Sequence, residues 1–157
     1  MSSFTVLAVA LLLGAAQHQH TPGMSHDAGL KERGAAAMGF DQDAARHHFR
    51  LAPDGGAIEV VANDAADLET IAAIRSHLQS IGRDFAAGKF DKPLQTHGEM
   101  PPGVGRMKER RDAIAYRYEE LSRGGVVHIT TRDTRALDGI HAFLRYQIRE
   151  HRTGGGD

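Results

Sequence analysis

The histidines are the residues through which this chain could do chemistry. It has ten of them and five methionines in 157 residues, and no cysteine. That excludes disulfides, thiolate metal sites and cysteine nucleophiles. Imidazole, thioether and carboxylate remain as ligands, a set that suits copper, zinc or nickel better than an iron–sulfur cluster. His18, His20, Met24 and His26 lie in a glycine-rich polar tract, a compositional signal for metal binding. His97, Glu99 and Met100 sit close together beside the stiff Pro101-Pro102 pair and form a candidate half-site. His48 and His128 each fall on the polar side of an alternating stretch, free to take an ion.

Two further histidines fall on apolar faces, His47 in a strand pattern and His141 in a helix pattern. A buried ring needs a partner, so each is a ligand or a structural hydrogen-bonding group. His47 and His48 are adjacent on a strand and point to opposite sides, so they do not share one ion. His77, at the edge of a helical apolar stripe, reads as a solvated flank. His151 falls near a helix C-terminus, where the dipole alone favours an imidazolium.

These residues are positioned by a pattern that occurs twice. HHFRLAPDGGAIEVVAND and YRYEELSRGGVVHITTRD each read strand, Gly-Gly turn, strand, and each leads into an amphipathic helix. Gly55-Gly56 matches Gly124-Gly125, Asp64 matches Asp133, and Ile71 matches Ile140. The first helix carries Leu68, Ile71, Ile74, Leu78, Ile81 and Phe85 on its buried stripe and closes at Gly88. The second carries Leu137, Ile140, Leu144 and Ile148. Asp64 and Asp133 are the expected caps. The fold class is therefore α+β: a duplicated ββα unit with a four-stranded antiparallel sheet and two helices on one face. Val127 and Ile129 should point to the core. The proline-rich stretch 89–105 reads as a connecting loop, and a short helical turn should follow from Val104.

Domain organisation follows from composition. Residues 1–16 read as a cleaved export signal: Phe4 to Leu13 is apolar and Ala16 fits the cleavage site. That run is too short to span a bilayer, so no membrane span is expected after cleavage. Residues 17–45 read as a flexible arm, and 46–153 as a single ββα-ββα domain. A formal charge of −1 argues against a nucleic-acid partner. No G-x-S-x-G elbow, H-E-x-x-H or phosphate loop is present, so an enzyme is not expected.

The Met38-Gly39-Phe40 and His47-His48-Phe49 segments, His97 with Pro102-Gly103-Val104, and Phe143-Leu144-Arg145 through Gln147-Ile148 and His151 to Thr153-Gly154 resemble a family of small exported bacterial proteins. The resemblance covers roughly residues 38–154. It implies export and a single domain and implies no activity. Some members bear carbamoyltransferase labels, and Thr130 to Arg135 superficially resembles a phosphate-binding tract of those enzymes. They need two α/β domains and a much longer chain. The expected function is periplasmic or secreted binding of a transition metal, copper or alternatively zinc, for sequestration or delivery. The alternative is a metal-free interaction or homodimerisation module of the cell envelope.

Overall fold

Two hairpins make the sheet. A computed structural model describes residues 38–151 of the chain. The expected export signal and the arm ligands His18, His20, Met24 and His26 lie outside the described residues. β1 (Ala45–Ala52) pairs with β2 (Gly55–Ala62), and β3 (Ile114–Leu121) pairs with β4 (Gly124–Thr131). The order across the sheet is β1-β2-β4-β3, with every neighbour antiparallel. Ile58 pairs with Val127, its own counterpart in the second repeat. A pseudo-twofold axis therefore passes through that pair and relates the two halves.

The duplicated glycines serve this central seam rather than the turns. The turns are Pro53-Asp54 and Ser122-Arg123, and both glycine pairs lie inside strands. A Cβ on Gly55 would sit 1.9 Å from the carbonyl oxygen of Ile129, and one on Gly124 would sit 2.1 Å from that of Val60. Val60 and Ile129 are themselves equivalent. The close approach of β2 and β4 thus demands glycine twice, for the same reason.

One sheet face is apolar. Phe49, Ile58, Val60, Val127 and Ile129 are buried on it. Alternation places His48, Arg50, Glu59, Arg117, Glu119 and His128 on the other face. Two helices cover the apolar side: α1 (Leu68–Ala86), and the C-terminal helix from Thr134 to Glu150. They cross over. α1 packs chiefly on β3 and β4, whereas the C-terminal helix packs chiefly on β1 and β2. Ile71, Ile74, Leu78, Ile81 and Phe85 are the buried stripe of α1, each contributing roughly 1.5–3 kcal/mol of burial before the entropy of ordering is set against it. Leu68, expected in that stripe, is 73% exposed. It is the first helical residue, because the cap is Asp67 and not Asp64. Asp67 accepts from the Thr70 N–H at 2.9 Å, while Asp64 closes a turn onto the Ala66 N–H at 2.8 Å. Asp133 caps the C-terminal helix as expected, accepting from the Ala136 N–H at 2.9 Å.

The stretch expected to be a loop contains α2 (Asp91–His97) and leads into α3 (Val104–Glu109); the C-terminal helix is α4. Pro93 lies in the first turn of α2, where a missing N–H costs no helical hydrogen bond. Gly98, at φ +73°, ends that helix in the left-handed conformation. A Cβ on Gly103 would sit 2.1 Å from the carbonyl oxygen of Gly139, so α3 lies directly against α4.

His141 is a structural group. Its Nε2–H donates to the carbonyls of Ala52 at 2.9 Å and Gly55 at 3.0 Å, tying α4 to the first hairpin turn. Arg75 on α1 does the same for the second turn, donating to the carbonyls of Leu121, Ser122 and Gly124. Leu121 and Gly124 are the counterparts of Ala52 and Gly55. Each helix thus pins the hairpin of the other half. His141→Leu should lose about 1–3 kcal/mol in urea denaturation; a loss below about 0.5 kcal/mol would mean that these bonds do not hold the turn.

Candidate functional site

Four histidines converge at one end of the apolar layer, from four different elements. His47 comes from β1, His77 from α1, His97 from the last residue of α2, and His151 from the residue capping α4. All four line one cavity of about 60 Å³, with Met38 and Gln147 in the same wall. That volume holds an ion or a few waters. Ile58, Val60, Phe85 and Phe143 close its floor.

Three of the four rings lie against one another, and Phe40 links the fourth, His77, to His47. The ring centres of His47 and His151 are 5.3 Å apart with planes at 17°, and those of His151 and His97 are 5.3 Å apart with planes at 83°. Phe40 stacks on His47 at 6.1 Å and meets His77 edge-on at 5.9 Å. His97 is held from behind: its Nε2 lies 2.9 Å from Gln147 Oε1, and Tyr146 packs edge-on at 5.0 Å. With that oxygen as acceptor, the proton of His97 is on Nε2. The Nε2 of His47 is sealed from solvent and has no hydrogen-bond partner among the described residues. Burial pulls His47 and His77 down to about 4 and His151 to about 3. These three rings are therefore neutral at pH 7 and keep a lone pair.

Two imidazoles sharing one ion through bonds of about 2 Å place their ring centres about 5–6 Å apart. The His47–His151 and His151–His97 spacings fall in that range. The near-parallel planes of His47 and His151 must turn for both lone pairs to meet one point. Among the described residues no three His, Asp or Glu side chains are already disposed around an ion.

The remaining sequence candidates lie apart from this cavity. His48 sits opposite Glu59, and His128 opposite Ala57, with β2 between their strands. Two strand spacings of about 4.8 Å and a two-residue offset separate them, so they do not form a shared site. His128 Nε2 lies 3.2 Å from Glu119 Oε2, which also accepts from Arg117 at 2.9 Å. Arg117 holds the Glu119 carboxyl below its usual range, with His128 adding to the effect. Arg50 pairs with Glu59 at 2.6 Å. The open face thus satisfies these charges within the chain. The His97–Met100 half-site separates: Gly98 reverses the chain, Glu99 accepts from the Tyr146 hydroxyl at 2.8 Å, and Met100 is exposed.

His77 and His151, which by sequence pattern read as a solvated flank and a dipole partner, are half-buried cavity residues. Met38 carries no sequence signal that marks it as a ligand. The one local signal for these positions is the flanking of His77 by the buried Leu78 and Ile74. No helix among the described residues is long and apolar enough to cross a membrane.

The fold and cavity define an α+β protein of duplicated ββα units with a histidine-lined pocket between sheet and helices. No protein-family model matches this chain, and no curated protein or solved structure matches it.

Proposed function

We propose that this chain is a small exported protein that binds a transition metal, copper, in the histidine cavity and serves in its sequestration or delivery. The observation supporting this reading is the convergence of His47, His77, His97 and His151 with Met38 on one cavity. Imidazole and thioether are copper ligands, and burial leaves three of the rings unprotonated at neutral pH, as a ligand must be. Export is supported by the leading apolar run and the Ala16 cleavage pattern.

The test is calorimetric titration of the untagged protein with Cu(I) under anaerobic conditions and with Cu(II) in air, beside a His47→Phe/His151→Phe double variant; binding of either ion that meets the criterion below supports the reading. Phenylalanine keeps the ring stack and removes the donors. The expected result is a whole-number stoichiometry that drops by one ion in the variant. Binding no tighter than that of an unstructured histidine-rich peptide, or binding that the variant leaves unchanged, overturns the reading.

A further inference from the structure

Resting on that reading, we infer that the cavity selects a soft monovalent cation, Cu(I), over divalent ions, holding it at low coordination number between His47 and His151 with the Met38 thioether as third donor. Charge is the first argument. The described residues lining the cavity are histidine, methionine, Thr96, Gln147 and apolar groups, plus Lys92. Lys92 is ion-paired with Asp84 at 2.5 Å, so its charge is compensated outside the wall. None of the described lining residues is a carboxylate. A buried ion would therefore keep its full charge. The cost of desolvating it rises with the square of that charge, about fourfold from a monovalent to a divalent ion.

Ligand number is the second argument. Structural zinc requires a closed tetrahedral set, and the described residues offer no group of three His, Asp or Glu around one point. Two imidazoles and a thioether suffice for Cu(I), which thioether sulfur prefers. The third argument is the Nε2 of His47, sealed from solvent with no hydrogen-bond partner among the described residues. A buried nitrogen in that condition is costly, and a cation in the cavity would relieve it.

The experiment uses the full chain with the arm ligands replaced (His18→Asn, His20→Asn, Met24→Leu, His26→Asn), so that these four side chains do not compete for the ion. Imidazole resonances are followed by NMR during anaerobic titration with Cu(I) against a chromophoric chelator, with Ag(I) as a redox-inert probe, and separately with Zn(II) and Cu(II). The expected result is that Cu(I) and Ag(I) shift the His47 and His151 resonances at one equivalent, while Zn(II) and Cu(II) do not compete. Met38→Leu, which preserves side-chain volume, should weaken Cu(I) roughly tenfold. If Zn(II) or Cu(II) occupies the same histidines as tightly as Cu(I), the selectivity is overturned while the metal site stands. If Met38→Leu leaves Cu(I) affinity unchanged, the thioether assignment is overturned. If no metal moves these resonances, the metal reading itself falls and this inference with it.

Discussion

Lowering the pH of the metal-free protein from 7 to 4 should remove several kcal/mol of stability, most of what a domain of this size has. The cause is the cavity. Burial, the largest influence on each ring, lowers His47 and His77 to about 4 and His151 to about 3, with electrostatic contributions from neighbours, including His48 for His47 and Lys92 for His77, acting in the same direction within those values. Asp84 works the other way on His77. In the unfolded chain these rings titrate near about 6.5. Between that pH and the folded values, the unfolded chain binds protons that the native cavity refuses. Stability is therefore complete above about pH 6.5, falls as the pH drops through the window, and levels off below the folded values. A tenfold difference in proton affinity between the folded and unfolded chain corresponds to about 1.4 kcal/mol, and the half-exposed rings will realise only part of it. The carboxylates held low by their partners, Asp67, Asp84, Glu119 and Asp133, lose their contribution only at more acid pH. Urea denaturation at pH 7, 5.5 and 4 reads the effect, and the His47→Phe/His151→Phe variant should flatten the slope. A wild-type profile level from pH 7 to 4.5 would show that the rings are not held neutral by burial.

The second large effect concerns the two halves. Residues 38–102 and 103–151, expressed separately, should not form folded monomers. Each hairpin is covered by the helix of the other half: α1 lies on β3 and β4, and α4 on β1 and β2. Arg75 and His141 bind the turns of the opposite hairpins. The seam between β2 and β4 would be left as an open edge in both fragments. Mixed fragments should recover the helical and sheet signals by circular dichroism and elute as one complex. A half that folds as a stable monomer would contradict the crossed packing.

The repeat makes much of the fold readable. Strand alternation places Val127 and Ile129 inward, and both are fully buried. Asp133 is legible as a cap because it directly precedes its helix. Asp64 misleads because three residues of turn separate it from Leu68, the first helical residue. The crossing of the helices has no local signature: periodicity says that a stripe is buried, not which hairpin buries it. The equivalence of Arg75 and His141 is hidden for the same reason, since the two side chains differ and only their carbonyl partners correspond. The cavity is the least legible feature. Its histidines lie far apart in the chain, and each has an adequate local explanation. Proximity in sequence groups His97 with Met100, yet Gly98 sends them in different directions.

The most direct test of the proposed site is a crystal structure of the protein soaked anaerobically with Cu(I), with anomalous data collected at the copper edge. A single anomalous peak in the cavity, within bonding distance of His47 and His151 after their rings have turned toward each other, is the predicted result. Peaks confined to the open sheet face around His48 and His128, with the cavity rings unmoved, would contradict it.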